Sequence, residues 1–230
     1  MPALDAALEG GLSFAALHEL APASELQLGA AFGFALAIVG LAAKEGRAGR
    51  RQVLCIMTDF GGHVSASPYG PGCELFGLPM RQLLMLRVAH PREALWAFEE
   101  ALKCTALAAV LAELPEAGDA ADFTATRRLT LAAQAGGGLG LLLRHRPYRL
   151  PSAAVTRWQV ACAASQNDRF GGLGSARFDL SLHRNRRGRC GRFIAEWNHH
   201  ERIFAPQALS IGMAATADDR PDRARLLRTA

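Results

Sequence analysis

The chain has 230 residues, half of them hydrophobic and a fifth charged, with a formal net charge of +5. That composition excludes a disordered polymer and fits one sizeable domain rather than two. The most apolar stretch, Leu28 to Ala43, stops short of the roughly 18 uncharged residues of a membrane span and ends in Lys44, Glu45 and Arg47, so no membrane partner is expected.

Met1 to Glu9 carries Asp5 and Glu9 and no basic residue, unlike a secretory signal. Five cysteines (Cys55, Cys73, Cys104, Cys162 and Cys190) are odd in number and form no C-x-x-C pair. A reducing, cytoplasmic setting fits them better than a disulfide framework or a zinc knuckle. Of the 26 basic residues only Lys44 and Lys103 are lysines. Chemistry that requires lysine must therefore use one of those two.

Ala15 to Leu20 reads as a short strand, followed by a loop of small residues to about Gly29 and an apolar helix over Ala31–Lys44. The small residues of that helix, Gly33, Ala35, Ala37 and Gly40, suit close packing on a sheet. Gln52 to Thr58 is a continuous apolar run, as in a buried parallel strand, and Asp59-Phe60-Gly61-Gly62 is a turn signal. Leu83 to Val88 is the next strand. Pro91 opens a helix with apolar residues at helical spacing. Leu107 to Leu114 is a strand, Thr124 to Ala135 a helix stopped by Gly136 to Gly138, and Leu139 to Leu143 a buried strand. Strand and helix alternate about four times up to residue 145. That order predicts an α/β fold, a doubly wound and mostly parallel sheet with helices on both faces.

After Pro151 the rhythm changes. Val155 to Ala161, Ala176 to His183 and Phe193 to Trp197 alternate like antiparallel strands, and Ile203–Phe204 adds another. An antiparallel extension over about 154–204 is therefore expected to complete a single domain over 1–207. Arg184 to Arg192 reads as a hairpin turn between two of these strands. From about Ala208 no periodicity survives, and residues 208–230 are expected to form a disordered tail.

A strand, a small-residue loop and a helix at the start of such a sheet point to a nucleotide site. A working phosphate loop needs G-x-x-x-x-G-K-[ST], with backbone N–H groups around the phosphates, Lys on the terminal phosphates and Ser or Thr on magnesium. Here Gly29 stands as the glycine before the helix, and Ala30 and Ala31 take the places of the Lys and the Ser or Thr. Lys44 follows Ala43 and Lys103 follows Leu102, so neither is preceded by glycine. Glu25 adds a carboxylate where polyphosphate charge would sit. No nucleotide cofactor is expected.

Pro2 to Glu19, Thr58 to Leu86, Arg92 to Glu113, Asp122 to Leu143, and the pieces around Ala154 to Trp158 and Phe193 to Trp197 together resemble the ImuA family. The resemblance covers most of the chain from Pro2 to about Phe204. It implies a trimmed RecA-like core acting in the damage-inducible SOS response. It further implies an ImuB-like relative of the Y-family polymerases as partner, and an error-prone DnaE-type polymerase as an indirect one, in mutagenic translesion DNA synthesis. RecA, self-association and DNA are further candidate partners. The family carries no catalytic motif to transfer. A recombinase would place acidic residues at Asp59 and, ending the Walker B strand, at Glu113. Both remain here without the lysine they would serve. Met1 falls almost directly on the first of these segments, where family members usually carry an N-terminal extension. The start is therefore expected to be short or late relative to the family.

Asp59 and Glu113 are either a magnesium site or carboxylates that cap strand ends, and the second reading is favoured. His199-His200-Glu201 lacks H-E-x-x-H spacing and reads as a loop or an edge strand. Ser13, Ser24 and Ser65 show no nucleophile elbow, and Cys55 reads as a small core residue. Arg184, Arg186, Arg187, Arg189 and Arg192 place five arginines within nine residues at the hairpin tip. Arg144, Arg146 and Arg149 form a second group around His145 and Tyr148, at the sheet end where doubly wound folds keep their binding loops. Both groups are candidate contacts to DNA or to a protein partner. The expected function is that of a non-catalytic adaptor. The alternatives are a divergent ATP-dependent recombinase and a direct single-strand DNA binder. Lys44 lies about 20 Å along its helix from the loop at 1.5 Å per residue, too far to serve phosphates. Only Phe193 and Trp197 offer aromatic stacking near the hairpin.

Overall fold

The computed structural model describes residues 2–46, 49–60, 63–64, 67–114, 123–147, 151–165, 167, 172 and 174–205. The expected tail and the candidate contact Arg149, with its neighbour Tyr148, lie outside the described residues.

The strands are β1 (Ala16–Pro22), β2 (Gln52–Phe60), β3 (His63–Val64), β4 (Leu83–Val88), β5 (Leu107–Leu114), β6 (Leu139–Arg144), β7 (Thr156–Cys162), β8 (Arg177–Asn185), β9 (Gly191–Asn198) and β10 (Ile203–Ala205). The helices are α1 (Pro2–Ala7), α2 (Leu28–Glu45), α3 (Gly70–Leu75), α4 (Pro91–Lys103) and α5 (Phe123–Gly136). All ten strands join one sheet in the order β10-β9-β8-β7-β1-β6-β5-β2, and β2 pairs with both β3 and β4. β4 runs parallel along Val53–Thr58 of β2, while β3 pairs antiparallel with Asp59 and Phe60. Of the turn expected at Asp59 to Gly62, Asp59 and Phe60 are instead the end of β2, while Gly61 and Gly62 lie outside the described residues.

The doubly wound, mostly parallel sheet and its antiparallel extension match the expectation. One detail differs. β7 pairs antiparallel with β8 but parallel with β1, His18 facing Thr156 and Leu20 facing Trp158. It is the last strand of the parallel sheet and the first of the extension at once. Its alternation of buried and half-buried residues was read as wholly antiparallel because one face is partly open to solvent.

Apolar residues divide the core into two layers. On one face α2 packs with Cys55, Leu141, Trp158, Leu180 and Trp197, and Phe34 lies with its ring centroid 5.4–6.2 Å from those of Trp158, Phe178 and Phe204. On the other face α4 and α5 cover Leu17, Ile56, Val110 and Leu142. With the 3-10 turn before it, α2 forms a 21-residue helical stretch, Glu25–Glu45, whose most apolar 18 residues have a mean hydropathy of 2.0, by length and composition enough to cross a membrane. Its residues Ala31, Gly33–Gly40, Ala42 and Ala43 are buried against the sheet, so the apolarity is that of a core helix.

α4 begins as the Pro91 signal predicts. Pro91 occupies the first turn, and the Glu93 carboxylate accepts from the His90 N–H at 3.2 Å. α5 ends at Gly136, where Gly137 turns the chain out of the helix at φ +78°, and Gly136 itself is fixed by lack of space. A Cβ there would lie 1.9 Å from the Leu102 carbonyl oxygen at the end of α4, so only glycine lets the two helix ends meet.

Candidate site at the carboxyl ends of the parallel strands

The phosphate-loop segment differs from the expected one in register. β1 runs on to Pro22, Glu25–Gln27 form a 3-10 turn, and α2 starts at Leu28. Gly29 is therefore the second residue of the helix rather than the glycine before it, with Ala30 and Ala31 in the same first turn. Ala31 is fully buried and presents only a methyl group. Gln27 turns away from any ligand, its Oε1 accepting from the Cys162 N–H at 2.9 Å. Across the loop, Arg146 Nε meets Glu25 Oε1 at 2.9 Å. The pair is exposed, 48% and 67%, and sets a carboxylate just before α2; with no lysine in the first turn of that helix, the segment does not fit a nucleotide polyphosphate.

The two acidic positions of a recombinase are each held by a base. Asp59 accepts from Arg87 Nη1 at 2.8 and 3.1 Å, and Arg87 also reaches Ser67 Oγ at 2.9 Å. Glu113 is buried, and its Oε1 lies 2.7 Å from His145 Nε2. Thr58 Oγ1 donates to the Glu113 carbonyl at 3.4 Å. Strand alternation puts Asp59 and Glu113 on the α2 face, but each is spent on its own partner, which is the strand-end reading. Among the described residues no three His, Cys, Asp or Glu side chains gather as a metal site. His199-His200-Glu201 form the turn between β9 and β10, and Cys55 is buried in β2 with burial pushing its thiol up to about 12.

The expected basic groups separate into committed and free side chains. Arg144 Nε binds Glu19 Oε1 at 2.7 Å, and Arg157 Nε approaches Glu19 Oε2 at 3.1 Å. The Glu19 side chain is 1% exposed, and the two arginines 12% and 15%. Arg184 lies half-buried beside this triad and donates to the Ser152 carbonyl. Arg192 grips Asp179 with two nitrogens, Nε at 2.7 Å from Oδ1, and this hydrogen bonding holds the Asp179 carboxyl below its ordinary range. Arg144 and Arg184 are therefore engaged inside the fold, and Arg192 is engaged with Asp179 while 73% exposed. Arg146, Arg186, Arg187 and Arg189 face solvent, Arg146 while paired with Glu25.

The hairpin is seated more firmly than an exposed arginine loop suggests. Asn185 Nδ2 donates to the Ala7 carbonyl of α1 at 2.7 Å, and a Cβ on Gly188 would fall 2.3 Å from the same oxygen. Arg186 N–H donates to the Val155 carbonyl at 3.0 Å. The aromatic support expected for DNA stacking is weaker still, because Trp197 is 2% exposed and donates its indole N–H to the Leu75 carbonyl at 2.8 Å.

Glu19 is the functional-looking residue the sequence reading passed over. Its signal was present: a carboxylate inside an apolar strand needs a cationic partner once buried. His18 beside it is fully buried, on the opposite face of β1. Its Nε2–H donates to the Ser13 carbonyl at 2.9 Å, which leaves Nδ1 to accept from the Thr156 hydroxyl at 2.8 Å. Trp158 Nε1–H donates to the same hydroxyl at 2.8 Å. Burial holds the His18 pKa at about 4, below its ordinary 6.5. Unfolded chains take up a proton there near pH 6.5 and the folded protein does not, so stability falls as pH drops from 6.5 to 4. The slope approaches about 1.4 kcal/mol per pH unit. Urea unfolding at pH 7, 5.5 and 4.5 should show this decline, and His18→Gln should flatten it. A decline of equal slope in the variant would assign it to other groups.

The sheet, its two helical layers and the altered phosphate loop define a RecA-like core. The solved structure of the RadB recombinase superposes with a TM-score of 0.60 at 13% identity, over 89% of this chain and 96% of that one, a likeness of fold alone. No family model matches. The chain is homologous to the proteins named ImuA from two strains of Caulobacter vibrioides, 37% identical over 143 residues. The match spans 57% of this chain and 57% of each relative. The cell division inhibitor SulA of Edwardsiella piscicida is 39% identical over 87 residues, 37% of this chain and 48% of that protein.

Proposed function

We propose that the chain is a non-catalytic RecA-like adaptor in the SOS response, acting in the cytoplasm in mutagenic translesion DNA synthesis. Its direct partner is an ImuB-like relative of the Y-family polymerases, and through it an error-prone DnaE-type polymerase. The homology to ImuA supports the process. The observation that supports the non-catalytic part is the phosphate-loop segment, where the first turn of α2, Leu28 to Ala31, carries neither a lysine nor a Ser or Thr.

We place the contact for that partner at one edge of the sheet. Among the described residues β4 pairs with β2 only, and Leu84, Met85 and Leu86 are 50%, 41% and 37% exposed on it. An unpaired edge with consecutive exposed apolar residues is a template for a partner strand. The solvent-facing Arg146, Arg186, Arg187 and Arg189 offer a second, electrostatic contact to the partner or to DNA phosphates.

Calorimetry tests the non-catalytic reading. Titrating magnesium-ATP into the purified chain should give no saturable heat at concentrations up to about 1 mM, roughly 4 kcal/mol of binding. Magnesium-dependent binding in the micromolar range would overturn it.

A further inference from the structure

We propose that a pocket lined by four cations at the C-terminal end of α2 binds an acidic, apolar peptide segment of a protein partner. The inference rests on the adaptor reading and names the chemistry of its ligand. Lys44 comes from the last turn of α2, Arg51 from the residue before β2, Arg81 from the 3-10 turn before β4, and Arg202 from the turn between β9 and β10. The connection from α2 to β2, the turn before β4 and the turn between β9 and β10 thus line one cavity of about 190 Å³ at the amino ends of the parallel strands. It lies opposite the phosphate-loop end.

The lining contains no carboxylate. Among the described residues none of the four cations is in an ion pair, whereas Arg87, Arg128, Arg144, Arg157 and Arg192 each have one. Part of the cluster has an internal use. Lys44 complements the negative end of α2, and Arg51 donates to the Lys44 carbonyl at 3.2 Å. Arg81 and Arg202 have no such use, and gathering like charges around one cavity costs free energy until an anion neutralises them. The wall is rigid, because Trp197, whose indole is tied to the Leu75 carbonyl, forms part of it.

The rim selects the class of anion. Leu75 and Met80, next to the lining residues, are 55% and 40% exposed aliphatic side chains. From Gln82 in the lining the chain enters β4, whose outer backbone edge has no strand partner among the described residues. Aliphatic contacts and open backbone groups suit a polypeptide. Single-stranded nucleic acid needs exposed rings instead, and the ring in this wall, Trp197, is buried. Tyr69, exposed at the start of α3, makes nucleic acid the alternative that the test must separate.

The test uses the full chain and three fluorescein-labelled probes: a dodecapeptide of alternating leucine and glutamate, its leucine–lysine counterpart, and a twelve-residue oligothymidylate. Fluorescence anisotropy should show saturable, salt-sensitive binding of the acidic peptide and none of the basic one. The exposed-residue variant Arg51→Glu/Arg81→Glu should weaken the acidic peptide at least tenfold with an unchanged melting curve. Should that variant fail to fold, Arg81→Ala should still weaken it severalfold. Absence of acidic-peptide binding, or equal affinity in the variants, overturns the proposal. So does oligothymidylate binding that these variants abolish while the acidic peptide binds no better than the basic one. Assembly of the unaltered chain with the polymerase-relative partner is measured separately. Loss of that assembly sinks the adaptor reading, whereas assembly that persists undiminished in Arg51→Glu/Arg81→Glu sinks only the pocket.

Discussion

Replacing Glu19 by Ala should destabilise the protein by about 3–5 kcal/mol, the cost of breaking a buried ion pair and leaving its partners uncompensated. Glu19 stands in the middle of β1 with its carboxylate between Arg144 and Arg157. Both arginines are mostly buried, and Arg184 adds a third positive charge nearby, its own pKa lowered first by burial and then by Arg186 and Arg157. Without the carboxylate, these guanidinium groups would face one another in a region of low dielectric. Urea denaturation measures the loss. The contrast is Arg146→Ala, which removes an ion pair whose side chains are 48% and 67% exposed, and which should change stability by less than about 1 kcal/mol. A loss below about 1 kcal/mol for Glu19→Ala would mean that the triad is hydrated and contributes no more than a surface pair.

The second large effect concerns the partner. Leu84→Glu/Leu86→Glu should lower affinity for the ImuB-like protein about a hundredfold, close to 2.7 kcal/mol, and leave the melting curve nearly unchanged. Leu84 and Leu86 are 50% and 37% exposed on a strand that, among the described residues, pairs on one side only, and neither belongs to the buried core. Two carboxylates on that edge would be desolvated by an arriving strand without compensation. The affinity is read by calorimetry or by surface capture of the complex. Unaltered affinity would move the interface away from β4, with the solvent-facing Arg186, Arg187 and Arg189 the next residues to alter.

What the sequence made legible follows physical lines. Continuous apolar runs such as Gln52 to Thr58 announced buried parallel strands, and Gly136 to Gly138 marked the end of α5. The alternation in β7 did not reveal its pairing, because a half-open face looks the same beside a parallel neighbour as beside an antiparallel one. α1 and α3, with six residues each, are too short for helical periodicity to register. The loss of the phosphate-loop lysine was readable from composition alone. The commitment of Arg144, Arg184 and Arg192 was not, since their acceptors Glu19, Ser152 and Asp179 are distant in sequence or across a strand pair. The pocket was invisible for the same reason: Lys44 and Arg51 come from one basic run, but Arg81 and Arg202 are distant from it in sequence.

If the chain acts as the proposed non-catalytic adaptor, it assembles without nucleotide. The most direct measurement is the dissociation constant of the complex with the ImuB-like protein, by calorimetry in the presence and in the absence of magnesium-ATP. The expected result is the same constant in both. A complex that forms only with ATP, or is tightened tenfold or more by it, would contradict a non-catalytic adaptor and restore a nucleotide-driven role to the fold.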